Sequence, residues 1–275
     1  MAIMNFTPDS FSNDGVNTPN KELELSSLHL TAKLTAERGA DIIDVGGQSS
    51  APGAFDVTAD EEIFRTVPAI GVLKATEEFK GAISIDTYRA EVAEAAVNAG
   101  ADIINDISAG QLDKEMLPTM ARLGKTVCLM HMRGTPQTMQ RKEYTDYEPK
   151  GLIPTIAEEL LERVAEAEAA GIRRWRIILD PGIGFAKTSE HALEILRRLD
   201  ELRDWPGLRG LPWLVGSSRK GFVGKITNCH LPHQRTSGTA ATVAAAIHGG
   251  ADIVRVHDVA QMARVALMSD AIWRV

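Results

Sequence analysis

Cysteine is scarce in this chain. Its 275 residues hold two, Cys128 and Cys229, far apart and outside any C-x-x-C pair. That excludes a disulfide scaffold and a cysteine-rich zinc site, and it fits a reducing compartment. His191, His230, His233 and His248 have no partner spacing, so they add nothing toward a zinc site. No apolar run reaches the roughly eighteen residues a membrane-spanning helix needs. The start lacks the basic segment and small-residue cleavage site of a secretion signal. Met1 abuts the first β-rich run, so a domain excised from a longer chain is expected. Positive charge is also in deficit: 30 Lys and Arg against 37 Asp and Glu leave a net charge of -7. That speaks against nucleic acid as the partner but leaves room for a local basic pocket.

With 44% hydrophobic and 24% charged residues, the composition is that of a soluble globular protein with a full core. Short β-rich runs recur along the whole length: 2–6, 41–46, 82–87, 102–108, 126–131, 176–182, 213–218 and 252–258. Each is nearly continuously apolar in its middle, as parallel strands buried on both faces are. Helix-length segments rich in Ala, Leu, Glu and Arg lie between them, most clearly 22–38, 91–98, 153–170 and 189–202. Three joints are nearly identical: "RGADIIDV" (38–45), "AGADIIND" (99–106) and "GGADIVRV" (249–256). A left-handed glycine stops the helix there and the next strand starts at once. Eight strands, eight helices and a length of roughly 250 residues predict a closed (β/α)8 TIM barrel in one domain over 1–275. A doubly wound sheet is disfavoured, because no early G-x-G-x-x-G turn follows a strand. Segments 132–151 and 227–235 read as loops, the first of them long and mobile.

Each apolar run ends in a polar or glycine-rich tail: Asn5, Asp44 to Gly47, Asp86, Asn105-Asp106, His131, Asp180 to Gly182, Ser217 to Lys220 and Arg255 to Asp258. In a (β/α)8 barrel these ends meet at one mouth, where active sites are built. Asp86, Asn105 and Asp180 bear acceptors. A carboxylate there can take two parallel hydrogen bonds from an N–C–N edge such as that of a pterin or guanine. Lys220 offers a donor to a ring carbonyl or ring nitrogen. Arg255 and His257 alternate with Val256 and so share a side, as a clamp for phosphate oxygens would. Plainer readings stand beside these. Asp86 or Asp180 alone is also a helix N-cap candidate. Lys220 alone reads as a solvated loop residue, Arg255 as the partner of a neighbouring carboxylate and His131 as a satisfied interior histidine. Asp106 and Asp258 are expected to be caps.

Taken together, "NFTPDSFSNDG", "IIDVGGQSSAPGA", "SIDT", "GADIINDI", "MHMRGTPQTMQ", "ILDPGIGF", "SSRKGF", "RTSGTAA" and "RVHDV" resemble the ordered signatures of the dihydropteroate synthase family of pterin-binding transferases. The resemblance covers essentially the whole chain. It implies condensation of 6-hydroxymethyl-7,8-dihydropterin pyrophosphate with 4-aminobenzoate, releasing pyrophosphate, in folate biosynthesis. That is the step sulfonamides inhibit. It further implies that Asp86, Asn105, Asp180 and Lys220 hold the pterin, with Phe185 beside them, and that Asn5 helps bind Mg²⁺. Arg255 and His257 would hold the pyrophosphate, and Ser50, Pro52, Phe11 and Ser218 would surround the aminobenzoate. The stretch "NFTPDSF" would act as a lid.

The chain also departs from the family pattern. The first loop, commonly S-F-S-D-G-G, reads Ser10-Phe11-Ser12-Asn13-Asp14-Gly15. The second, commonly G-G-E-S-T-R-P-G, reads Gly46-Gly47-Gln48-Ser49-Ser50-Ala51-Pro52-Gly53. Ala51 in place of an arginine implies looser aminobenzoate binding and altered sulfonamide affinity. A methyltetrahydrofolate:corrinoid methyltransferase is the nearest alternative, yet it has no pyrophosphate for Arg255 and His257 to hold. A non-catalytic pterin-binding protein is the other. The resemblance suggests a homodimer, no nucleic-acid or membrane partner, and fusion to pterin kinase and aldolase domains. The compartment expected is the cytoplasm or, in a eukaryote, the mitochondrion.

Overall fold

Gly39, Gly100 and Gly250 adopt φ values of +92°, +121° and +97°, so each repeated joint does turn through a left-handed residue. The aspartate that follows has its own task in two of the three joints. Asp102 accepts the backbone N–H of Ile83 at 3.1 Å, and Asp252 that of Trp213 at 2.8 Å. The repeat thus ties the start of one strand to its neighbour at the face opposite the mouth.

The computed structural model describes residues 1–6, 21–50, 53 and 56–274, with 21–27 as backbone only. Eight parallel strands form its centre: β1 Ala2–Asn5, β2 Ile42–Gly46, β3 Ala82–Asp86, β4 Ile103–Asp106, β5 Thr126–Met130, β6 Ile177–Asp180, β7 Leu214–Val215 and β8 Ile253–Val254. Eight helices follow them in turn: α1 Lys21–Glu37, α2 Ala59–Ala75, α3 Ala90–Ala99, α4 Met116–Leu123, α5 Leu152–Ala169, α6 Ser189–Arg197, α7 Thr236–His248 and α8 Val259–Trp273. β1 to β6 pair in sequence order and β7 pairs with β8. Single parallel bridges, Leu179 to Trp213 and Ala2 to Val256, join the two sheets at both seams. Val256 N donates to Met1 O at 2.9 Å and Ile3 N to Val256 O at 3.0 Å. The ring is therefore closed, as the strand count predicted.

Side chains alternate across the wall as a barrel demands. Ile43, Val45, Ile83, Ile85, Ile104, Val127, Leu129, Ile177, Leu179 and Val215 are buried in the main core, which joins the strands to their helices. Cys128, Ile178 and Leu214 form a separate cluster with Met1 and Ile253, a plug of the lumen. Polar inward residues sit on the other side of that plug. The register explains why they meet: Asn5 pairs with Gly46, Gly46 with Asp86, and Asp86 with Asn105, so these positions lie in one row across four strands.

Several expectations need correction. Segment 189–202 is two helices, Ser189–Arg197 and Leu199–Arg203. Segment 132–151 is not a free loop. Met139 and Tyr147 are buried, Tyr147 donates to the Ala186 carbonyl at 3.0 Å, and Arg133 pairs with Glu159. Asp258 flanks α8 without a side-chain cap and pairs with Arg219 at 2.6 Å instead. Asp106 caps a turn, accepting Ser108 N and Oγ, both at 2.8 Å, and Gly110 N at 2.6 Å.

Candidate active site

A cavity of about 630 Å³ opens at the C-terminal ends of the strands. Asn5, Ser50, Asp86, Asn105, Asp180, Phe185, Ser218, Lys220, Arg255 and His257 all line it. Phe11 and Pro52 lie outside the described residues, as do Ala51, Asn13 and Asp14. Gly46 makes the rim possible: a Cβ there would stand 3.0 Å from Asn5 Oδ1 and 3.7 Å from Asp86 Cβ. The site residues come from both halves of the ring. β3, β4 and β6 supply the acceptors Asp86, Asn105 and Asp180. The cations and the imidazole come from β7, β8 and the residues just beyond them.

Arg255 resolves one open alternative, because it does pair with carboxylates. Its Nε donates to Asp44 Oδ2 and its Nη2 to Asp86 Oδ2, both at 2.6 Å. Arg255 nevertheless lines the cavity, and its Nη1 takes no partner among the described residues. Burial raises Asp86 to about 7; Arg255 pulls it back, while Asp44, Glu62 and Asp106 push the same way as burial. Neither Asp86 nor Asp180 caps a helix. Thr87 to Arg89 separate Asp86 from α3, and Asp180 Oδ1 accepts Gly182 N at 2.7 Å within its own turn. Burial raises Asp180 as well, against Lys220 and that N–H. Gly182 holds φ +67°, and a Cβ there would lie 2.0 Å from the His131 carbonyl, so only glycine closes this turn.

Lys220 is not a solvated loop residue. Its ammonium donates to the Ile183 carbonyl and lies 4.9 Å from the centre of the Phe185 ring. Burial lowers it to about 8, against the attraction of Asp180. His257 Nδ1 is 3.0 Å from Ser218 Oγ, and its backbone N–H donates to the same oxygen at 3.2 Å. Burial first, then Arg255 and Arg219, bring its pKa down to about 3, so the imidazole is neutral at pH 7. His131 is an interior residue. Its ring lies 2.8 Å from Glu159 Oε2 on one side and 2.8 Å from Lys187 Nζ on the other.

The sequence reading gave three groups no role of their own. Asp44 is fully buried beneath the row of mouth residues and takes both Asn105 and Arg255. Its position inside an apolar run was the available signal. Lys187 borders the cavity but gives its Nζ to His131 and to the Phe185 carbonyl, bracing the 182–186 turn. Gln48 bridges Arg89 at 2.5 Å, Asp56 at 2.8 Å and the Tyr88 hydroxyl, anchoring the second loop to the start of α3.

Acceptors on one arc and donors on the other suit a flat heterocycle with an N–H edge and an anionic tail. Comparison with known proteins gives the same direction. Residues 1–257 match the family model for pterin binding enzymes. The folic acid synthesis protein fol1 of Pneumocystis carinii is 48% identical over 274 residues, all of this chain and 36% of that protein. The chain thus spans about a third of this fungal relative. The dihydropteroate synthase of a Synechocystis strain is 47% identical over 277 residues, all of this chain and 90% of that one. The structure of the Xanthomonas albilineans dihydropteroate synthase with 4-aminobenzoic acid superposes with a TM-score of 0.85 at 36% identity, covering 100% of this chain and 92% of that one. Fold, cavity and sequence agree, and this chain belongs to the pterin binding enzyme family.

Proposed function

We propose that the chain is a dihydropteroate synthase. It would join 4-aminobenzoate to the exocyclic methylene of 6-hydroxymethyl-7,8-dihydropterin diphosphate and release diphosphate. One observation carries this reading: a single cavity holds Asp86, Asn105 and Asp180 together with Lys220, Arg255 and His257. The acceptors would grip the amino-pyrimidine edge and Lys220 the ring carbonyl. Arg255 Nη1 and neutral His257 would receive the diphosphate oxygens. The C–O bond would break with its electron pair going to diphosphate, and the cation left on the methylene would spread into the dihydropterin ring. The carboxylates around it would hold that charge. The arylamine lone pair would then form the C–N bond and the amine would give up a proton. A neutral amine needs placing more than it needs a strong base.

Asn5 Oδ1 is a hard oxygen at the rim, with no hydrogen bond from the described residues. It suits a Mg²⁺ that takes most of its ligands from the diphosphate. When bound, the ion would neutralise charge on the departing oxygens. Among the described residues no cluster of three His, Cys, Asp or Glu side chains competes for a metal. The fungal relative's greater length supports the reading that this barrel works as one unit of a longer folate-synthesis polypeptide. No helix among the described residues is long and apolar enough to cross a membrane.

The test is direct. Protein, pterin diphosphate, Mg²⁺ and labelled 4-aminobenzoate should yield labelled dihydropteroate and diphosphate. Pterin binding without labelled product would reject the reading. The pH profile is a second check. Asp86 must be ionised to accept two N–H groups, so kcat/KM for the pterin should fall about tenfold per unit below about pH 7. Lys220 loses its proton above about 8, so the profile should also fall on that side. A profile flat from acid to alkali would contradict these assignments.

The outer side of α8 supports a homodimer. Met262 packs inward, while Leu267, Met268, Ile272 and Trp273 stand 72%, 63%, 52% and 43% exposed. Leu267→Glu with Met268→Lys should halve the mass measured by analytical ultracentrifugation and leave the melting temperature nearly unchanged. A wild-type chain that sediments as a monomer would end this reading.

A further inference from the structure

Asp44 lies below the catalytic rim and touches no solvent, yet two rim residues lean on it. Its Oδ2 accepts Asn105 Nδ2 at 3.2 Å and Arg255 Nε at 2.6 Å, and its Oδ1 has no partner among the described residues. An ionised carboxylate only accepts hydrogen bonds, so the end of the Asn105 amide that meets it has to be the NH₂. That leaves Asn105 Oδ1 as the end without a protein partner among the described residues, on a side chain that lines the cavity. With Asp86 and Asp180, the rim then presents acceptors only, across β3, β4 and β6.

We propose that Asp44 is a specificity-determining positioning residue: it locks the Asn105 amide with its oxygen toward the ligand and the Arg255 guanidinium with Nη1 unspent. The inference rests on the reading of the cavity as a pterin site. An acceptor-only rim accepts a ligand edge made of N–H groups. It rejects an edge carrying a carbonyl, because two buried acceptors then face each other with no proton between them. Without the buried carboxylate, the Asn105 amide can rotate and offer its NH₂ instead. The same carboxylate fixes the far side of Arg255, so one residue sets both what the heterocycle must display and where the phosphate-binding nitrogen stands.

The experiment is binding by isothermal titration, which needs no turnover. The two probes are 6-hydroxymethylpterin and its 2-oxo analogue, the pteridine-2,4-dione with the same hydroxymethyl group. Wild-type protein should prefer the pterin by at least about 100-fold. In Asp44→Asn, nearly isosteric, that preference should shrink at least tenfold. Turnover should show kcat for the diphosphate falling about tenfold with KM for 4-aminobenzoate unchanged within about twofold. A role only in folding would weaken both probes alike and leave their ratio intact. Asn105→Ala should shrink the preference at least tenfold on its own, with Asp86 and Asp180 keeping the remainder, and adding Asp44→Asn to it should lose nothing more, because the two act through one hydrogen bond. Asn105→Ala with the preference intact overturns the proposal even where Asp44→Asn does not fold. An unchanged ratio in a folded Asp44→Asn overturns it too. Wild-type protein that binds neither probe rejects the pterin reading itself.

Discussion

Asp180→Asn is expected to lower kcat/KM for the pterin diphosphate by about 10³-fold while the protein stays folded. The change keeps one oxygen, so the bond from Gly182 N, 2.7 Å in length, survives and the turn after β6 keeps its shape. What is lost is the second acceptor. An NH₂ would face the N–H edge of the ligand, donor against donor, in a site where Asp180 is 6% exposed and water offers little relief. Lys220 is affected in the same step. Asp180 is the larger of the two charges, with Asp86, that raise the Lys220 pKa against burial, so without it the lysine drops below about 8 and the activity that remains declines at a lower pH. Steady-state kinetics from pH 6 to 9 separate these effects. A variant within tenfold of wild type, with its alkaline limb unmoved, would take Asp180 out of the pterin site.

The placement of Asp180 was readable from sequence because a barrel turns strand order into spatial convergence. Asn5, Asp86 and Asn105 each close an apolar run, and the parallel register puts them in one row. What the sequence does not carry is the pairing of side chains across the lumen. Arg255 was legible as a cation at the end of the eighth strand. That it rests on Asp44 and Asp86 depends on the distance between β8, β2 and β3, which no local pattern encodes. The partners of Asp44 were hidden for the same reason, since an acid inside an apolar run shows only that it is paired, not with what. His131 remained ambiguous until Glu159, 28 residues on, was seen to face it from α5. The buried packing of Met139 and Tyr147 was missed because a polar, proline-containing segment looks solvated when its few apolar anchors are far apart in order.

Arg255→Met tests how far stability and catalysis share one group. Arg255 is the common cation of Asp44 and Asp86, and removing one partner of a buried pair typically costs about 3–5 kcal/mol. The cost should depend on pH with a definite sign. In the wild type Asp86 already titrates at about 7, above its unfolded value, with Arg255 holding it down. Without the arginine the folded-state pKa rises further. A carboxylate whose folded pKa is raised weakens the fold above its unfolded pKa, and the penalty disappears once acid protonates it in both states. The gap in melting temperature between wild type and Arg255→Met should therefore be widest near pH 9 and narrow toward pH 5. Turnover should fall about 10³-fold wherever the variant is folded, through loss of the charge at the departing diphosphate. Arg255→Lys separates the two roles. An ammonium still neutralises the carboxylates, so most of the stability should return. A point charge held by Asp44 and Asp86 has no third nitrogen to offer, so the rate should stay at least about 100-fold down. A lysine variant that recovers rate along with stability would show that Arg255 serves the fold, with the phosphate held by other groups.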